Sequence, residues 1–467
     1  MSGHAFFALT LGCKINQYET EAVREAWLAR GWREAAEPAD ADVLLINSCA
    51  VTARAVADVR QAVARMHRAA PQGRIVVTGC AAQVLREDIA ALPGVADVVG
   101  QQAKVSLLHY DPERGAAGAH AGSGGGSSDG GDGGDGGEGG DDLSATDTAF
   151  PAFRIDGFTR SRPVLKVQDG CSHRCTYCIV PLARGAARSR DPREALAEAR
   201  RLLDAGFREL IVSGVNLRQY GRDLPGGGPD FWDLLAFLER ELAPQWAGRA
   251  RLRISSLEPG QLGERALDVL AESRLVAPQL HLSLQSGSPG VLRRMGRGHY
   301  RPEPLLDFVH ELAEVWPLFG LGADILTGFP GETDAEFGET LDFVGALPLT
   351  YAHVFPYSRR PGTPAAVMEG QLPQEAKKRR AAELRGAVAA KKAAFLQRLL
   401  GEPRLLVAPE GARGVKGVCE YYAECRFTGG RRPVAQVAPG GEQAGPGDLV
   451  AVRPLAVERD GLLVEAV

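Results

Sequence analysis

Three cysteines, Cys13, Cys49 and Cys80, each stand just past an apolar run of strand length. Residues 6–11 lead to Gly12-Cys13, residues 42–46 to Asn47-Ser48-Cys49, and residues 74–77 to Thr78-Gly79-Cys80. Between the runs, residues 19–30 and 53–69 carry helical spacing and good helix formers. This βαβαβ order predicts a parallel sheet. Ligands of open parallel sheets bind beyond the carboxyl ends of the strands. Thiols far apart in the chain are therefore expected to converge on one point. The competing reading is three ordinary buried cysteines, because free cysteine is commonly buried. The identical placement at three strand ends argues against it.

A second set is compact. Cys171, Cys175 and Cys178 lie in Gly170-Cys-Ser-His-Arg-Cys-Thr-Tyr-Cys, just after a further strand candidate at 164–168. Three thiolates are one short of the four that close a cubane iron–sulfur cluster, so one iron is left open to another ligand. A structural zinc site with His173 as fourth ligand is the alternative. Such sites usually come as two separated pairs, and no second pair lies nearby. His173 is also crowded between Ser172 and Arg174.

Residues 112–149, rich in Gly, Ser and Asp, cannot bury a core and read as a disordered acidic linker. Within it, residues 121–142 hold six acids and no base, Asp129, Asp132, Asp135, Glu138, Asp141 and Asp142, which account for more than the whole net charge of −4. Beyond the linker, strand candidates at 164–168, 209–213, 251–255, 279–284, 322–326 and 351–355 alternate with helical stretches. Six βα units imply a barrel or partial barrel with its site at the carboxyl face. A basic helix at 374–400 follows, and then short strands with Gly/Pro turns that suggest a small β-barrel. The expected fold class is thus α/β, with an N-terminal parallel βαβ domain (1–111), a central partial (β/α)6 barrel (150–385), and a helix end with a small C-terminal β-barrel (386–467). No apolar run reaches the ~20 residues needed to span a membrane, and no signal-peptide layout opens the chain. A cytoplasmic location is expected, where clustered cysteines read as metal-binding or catalytic.

The compact loop resembles the C-x3-C-x-aromatic-C signature of the radical S-adenosylmethionine enzymes, with Tyr177 as the aromatic. Taken with the dispersed set, the chain resembles the methylthiotransferases of that superfamily. The resemblance is carried by Gly12-Cys-Lys-Ile-Asn-Gln17, Asn47-Ser-Cys-Ala-Val-Thr52, Thr78-Gly-Cys80, Gln168-Asp-Gly-Cys171, Leu284-Gln-Ser-Gly287 and Thr327-Gly-Phe-Pro-Gly-Glu-Thr333. It implies two [4Fe-4S] clusters, one on Cys171, Cys175 and Cys178 that binds S-adenosyl-L-methionine, and an auxiliary one on Cys13, Cys49 and Cys80. It also implies transfer of a methylthio group, with a reducing electron donor and a sulfur source as partners. Residues 12–21, Ser255-Ser-Leu-Glu-Pro259 and residues 353–363 look most like the subgroup that modifies threonylcarbamoyl-adenosine in the tRNA anticodon loop. Isopentenyl-adenosine in tRNA and a ribosomal-protein aspartate are the substrates of the sister subgroups. A non-enzymatic iron–sulfur scaffold is a third alternative, although a carrier would normally close its clusters with four thiolates.

Strand ends supply further candidates. By the resemblance, Gln285, Ser286, Gly328 and Glu332 line the cofactor, with Ser213 and Asn216 as similar positions; ordinary turn chemistry competes at each. Glu258 could meet substrate or cofactor. Arg184, Arg188 and Arg190 suit phosphate contacts, and the basic helix could follow an RNA backbone. The C-terminal segment from 401 on carries eight Lys/Arg against nine Asp/Glu, which argues against a basic RNA-binding surface there. Tyr421, Tyr422 and Phe427 could stack on bases, but core packing suits them better. Cys419 and Cys425 are read as structural.

Overall fold

The computed structural model describes residues 3–115, 149–411, 414–430 and 447–467. Most of the acidic glycine-rich segment, residues 116–148, lies outside the described residues. The chain divides into two compact units. One comprises residues 1–153 and 180–186, and the other residues 154–179 and 187–467.

The first unit is built on a parallel five-stranded sheet. Its strands are β1 (Ala5–Thr10), β2 (Arg33–Glu34), β3 (Val43–Ser48), β4 (Arg74–Gly79) and β5 (Val95–Val99), in the order β2-β1-β3-β4-β5. The central strand β3 is buried at every position, which fits its run of Val-Leu-Leu-Ile. The expected parallel sheet is therefore present, with β1, β3 and β4 side by side. The edge strands β2 and β5 were not anticipated: β2 has only two residues, both exposed. The first helix, Lys14–Ala29, starts directly after Cys13 rather than near residue 19. The helix at Ala53–Ala69 matches its expected span and is capped by Thr52, which accepts from the Ala55 amide.

The second unit contains β6 (Val164–Lys166), the short antiparallel pair β7 (Gln168–Asp169) and β8 (Arg188–Ser189), β9 (Glu209–Ser213), β10 (Arg251–Ile254) and β11 (Ser256–Leu257). It continues with β12 (Gln279–Gln285), β13 (Gly320–Thr327) and β14 (Tyr351–Pro356). Two parallel sheets result, β10-β9-β6 and β11-β12-β13-β14. One residue, Ser255, separates β10 from β11, and a parallel bridge from Leu252 to Val276 closes the gap. The six main strands thus follow chain order, as expected for a partial (β/α)6 barrel.

Strands β15 (Leu405–Glu410), β16 (Lys416–Cys419), β17 (Glu424–Phe427), β18 (Val450–Glu458) and β19 (Gly461–Ala466) form a closed barrel. Its core holds Leu405, Val407, Phe427, Val452 and Val464, sealed by Phe395, Leu396 and Leu399 from the end of the Gln374–Leu399 helix. Cys419 and Cys425 are buried in this core. Glu209, fully buried, bonds Arg251 Nε at 2.5 Å and Arg253 Nε at 2.6 Å. The same two arginines donate to the carbonyls of Leu406 and Cys419. One carboxylate thereby ties the parallel strands to the terminal barrel.

Candidate iron–sulfur sites

Cys13, Cys49 and Cys80 sit at the carboxyl ends of the adjacent strands β1, β3 and β4. Gly12 makes the close approach possible. It holds φ +106°, and a Cβ there would lie 2.7 Å from Cys49 Cβ and 3.1 Å from its Sγ. Gly79, at φ +95°, plays the same part before Cys80, where a Cβ would lie 2.3 Å from the Ser48 carbonyl oxygen. Burial pushes the Cys49 thiol up to about 11, and the neighbouring Cys80 and Cys13 add to the rise. Burial raises Cys80 as well, opposed by the nearby Arg184 and Lys104. A bound metal would supply the positive charge that turns such thiols into thiolates.

Beneath the sulfurs lies a buried polar network. Asn16 Nδ2 donates to the carbonyls of Leu11 and Ser48, both at 2.9 Å, and so ties the Cys13 loop to the end of β3. Arg184 donates to Asn16 Oδ1 at 2.7 Å and to Glu19 at 2.8 Å. Lys104 Nζ donates to Glu19 at 2.6 Å and to Asn47 Oδ1 at 2.9 Å. Two cations, one carboxylate and two amides thus hold the three strand ends in register, and the two cations favour thiolates above them.

The compact loop follows β7. Gly170 turns the chain at φ 68°, and the Gln168 side chain spans the turn by donating to the Asp169 and Gly170 carbonyls at 2.7 and 2.8 Å. Gln168 also accepts from the Asn216 amide at 2.7 Å. Asn216 and Gln219 aim their amide groups at Cys171 Sγ, each at 3.6 Å, and Arg297 approaches Cys175 Sγ at 4.0 Å. These donors stabilise negative sulfur. Tyr177 packs against the apolar cluster of Val291, Met295, Phe329, Tyr357 and Ala365. The Thr176 amide donates to the Met295 carbonyl at 2.9 Å, so the loop is pinned from the β12–β13 connection.

Glu258 is the electrostatic centre of this site. It receives Asn216 at 3.1 Å and stands 3.3 Å from His173, 3.3 Å from His299, 3.4 Å from Arg297 and 3.5 Å from Arg218. Burial opposes its ionisation, but the histidines and Arg297 outweigh burial and hold it well below the usual carboxylate range. His173 is therefore engaged with a carboxylate. Both three-cysteine sets suit a cluster: Cys13, Cys49 and Cys80 stand at three neighbouring strand ends with Arg184 and Lys104 nearby, and Cys171, Cys175 and Cys178 share one loop faced by Asn216, Gln219 and Arg297.

Of the other candidates, Asn216 is brought to Cys171. Ser213 ends β9, and its carbonyl accepts from Val167 at 2.9 Å. Gln285 ends β12 at φ 66°, a conformation that strains a non-glycine residue. Ser286 is buried and bonded to Thr340 Oγ1 at 3.0 Å. Glu332 accepts from the Gly328 amide at 3.1 Å and pairs with Arg380 at 2.5 Å, so these two residues close their own turn.

Two readings need correction. Arg184, Arg188 and Arg190 do not form an exposed phosphate cluster: all three are buried, Arg184 on Glu19, Arg188 near Asp169, and Arg190 on Glu198 at 2.6 Å. The basic helix is not a uniform RNA-facing surface, since Lys377 and Arg380 are buried and Lys391 bonds the carbonyls of Gly345 and Leu347. The preference for packing over base stacking is met: Phe427 lies in the barrel core, and the Tyr422 ring packs tilted with its centroid 5.1 Å from that of Tyr351. Arg297, His299 and Gln219 were not singled out from the sequence. They carry no local spacing signal, because the fold delivers them from separate loops.

Comparison with known proteins agrees with this geometry. Residues 165–344 match the Radical SAM superfamily, and residues 5–100 match the Uncharacterized protein family UPF0004. The chain is 38% identical to the threonylcarbamoyladenosine tRNA methylthiotransferase MtaB of Bacillus subtilis, over 79% of this chain and 77% of that protein. It is 34% identical to the tRNA-2-methylthio-N(6)-dimethylallyladenosine synthase of Sphingopyxis alaskensis, over 88% of each. The fold is similar to that of the radical S-adenosylmethionine methyltransferase TsrM from Kitasatospora setae, with TM-score 0.53 at 15% identity over 78% of this chain and 77% of that one. The chain therefore belongs to the radical S-adenosylmethionine methylthiotransferase family, among its threonylcarbamoyladenosine-type members.

Proposed function

We propose that this protein adds a methylthio group to C2 of threonylcarbamoyl-adenosine beside the tRNA anticodon. The observation that carries the reading is the pair of three-thiol sets, one at the carboxyl ends of the parallel strands β1, β3 and β4 and one in the loop after β7, each faced by cationic or amide donors. When bound, two clusters and S-adenosyl-L-methionine supply one-electron chemistry, a methyl group and a transferable sulfur. A C–H on an adenine ring offers no acid–base handle, which is why a cofactor must carry the hard step.

The residues hold, orient and charge-balance these groups. Cys171, Cys175 and Cys178 would bind the first cluster, with Asn216, Gln219 and Arg297 stabilising its sulfur ligands. Cys13, Cys49 and Cys80 would bind the second, above the Arg184–Glu19–Lys104 network. Gln285, Ser286, Gly328, Glu332 and Ser213 remain cofactor-edge residues in this reading, and the engaged side chains of Ser286 and Glu332 shape their turns. An unpaired anticodon-loop base can be splayed into a pocket, which suits tRNA as substrate. A reducing partner and a sulfur source complete the cycle. Among the described residues no helix is long and apolar enough to cross a membrane, and a cytoplasmic location fits a tRNA substrate.

Mass analysis of tRNA nucleosides from a deletion strain tests the reading. Loss of 2-methylthio-threonylcarbamoyl-adenosine is expected. Loss of the dimethylallyl counterpart instead, or unchanged tRNA with an unmodified ribosomal-protein aspartate, would move the chain to a sister activity.

A further inference from the structure

We propose that His281, Asp324 and His353 form a cysteine-free site for a borderline divalent cation of the Zn2+ or Fe2+ class. The three residues stand on the neighbouring parallel strands β12, β13 and β14. Asp324 is the register partner of His353, and His281 is the partner of Gly322, two residues before Asp324 and so on the same face. One ligand atom from each lies within 4.8 Å of the others. His281 Nε2 is 3.1 Å from Asp324 Oδ1, and His353 Nδ1 is 3.4 Å from the same oxygen. Two imidazoles and one carboxylate with open positions are a donor set for such metals.

A supporting contact orients the first ligand. His281 Nδ1 lies 3.0 Å from the Tyr351 hydroxyl, which also accepts from Gln279 Nε2 at 2.9 Å. An imidazole that donates from Nδ1 to the phenol oxygen leaves the Nε2 lone pair for a cation shared with Asp324, the arrangement that metal-ligating histidines adopt. The sheet is built to allow it. Tyr351 crosses β13 at Gly322, where any Cβ would lie 2.0 Å from the Tyr351 ring carbon Cζ. The side chains of Asp324 and His353 are 25% and 55% exposed, so water or a ligand oxygen can reach the open positions.

The other histidine–carboxylate group, His173, Glu258 and His299, differs in one respect. Arg218 and Arg297 already stand against Glu258, and their charges repel a further cation.

The test uses the full-length, cluster-loaded chain, whose six ligand cysteines are then engaged. It is titrated with Zn2+ alone, followed by calorimetry and X-ray absorption at the zinc edge. One zinc per chain with a nitrogen–oxygen shell is expected, and His353→Ala should weaken binding at least ~10-fold. Tyr351→Phe should weaken it less, because it removes only the orienting contact. No binding, a shell that contains sulfur, or an affinity indifferent to both His353→Ala and Asp324→Asn would overturn the proposal. Circular dichroism of each variant separates loss of the site from loss of the fold.

Discussion

Arg184 donates to Glu19 at 2.8 Å across 165 residues of chain, and both side chains are buried. Arg184 lies six residues after Cys178 yet packs inside the first compact unit, among the groups that support Cys13, Cys49 and Cys80. Breaking a buried pair from one side leaves an uncompensated charge. Arg184→Leu should cost about 3–5 kcal/mol in the first unit and lower the iron bound there. Denaturant melts with iron counts on the Cys171→Ser/Cys175→Ser/Cys178→Ser background would show it; unchanged stability would remove the supporting role.

The two cysteine sets should separate functionally. Cys175→Ala is expected to abolish reductive cleavage of S-adenosylmethionine. Cys49→Ala should retain part of that cleavage and lose sulfur transfer. Sulfur transfer that survives Cys49→Ala would show the roles to be misassigned.

Gly12 tests the crowding at the dispersed set. Gly12→Ala places a methyl 2.7 Å from Cys49 Cβ and forces a left-handed backbone on alanine. The expected result is a folded protein that has lost most of its auxiliary iron and sulfide while keeping the other cluster. Normal iron and sulfide at both sites would count against the close approach of the Cys13 loop to Cys49.

Arg297 places a guanidinium 4.0 Å from Cys175 Sγ. Arg297→Met should make the cluster harder to reduce, because a cation that stabilises the more negative state is gone. A more negative midpoint in an EPR-monitored titration and ~10–100-fold slower cofactor cleavage are expected. A midpoint that stays in place would assign Arg297 to holding Glu258 alone.

Glu209 gives the pH prediction. Burial opposes its charge, but Arg251, Arg253 and Arg162 outweigh burial and hold it well below 4.5. A depressed carboxylate contributes stability that is complete above its unfolded value. That stability is lost as pH falls from there toward the folded value, because the unfolded chain then binds more protons. Stability of the second unit should therefore fall steeply below about pH 4.5. Glu209→Gln should cost about 3–5 kcal/mol at pH 7 and flatten the acid limb. Denaturant melts at pH 7 and pH 4 measure both.

The strands that end in Cys13, Cys49 and Cys80 were legible because buried parallel strands write themselves as continuous apolar runs bounded by turns. The compact loop was legible because its ligands are local. The six-strand order of the barrel followed from the same alternation. Edge strands β2 and β5 were not, since two exposed residues or a half-buried run carry no periodic signal.

Chain order alone places Arg184, Arg188 and Arg190 beside a cysteine loop, where they read as a phosphate cluster. Burial reverses that reading, because each meets a carboxylate from a distant segment. Apolar period and cysteine spacing are local properties, and they already specified the sheets, the strand ends and the two thiol sets. The fold alone decided which charge meets which: Arg184 with Glu19, Arg297 and His299 with Glu258, and His281 and His353 with Asp324. Such pairs form only after packing removes water and brings remote strands within hydrogen-bond reach, and no pattern along the chain encodes that distance.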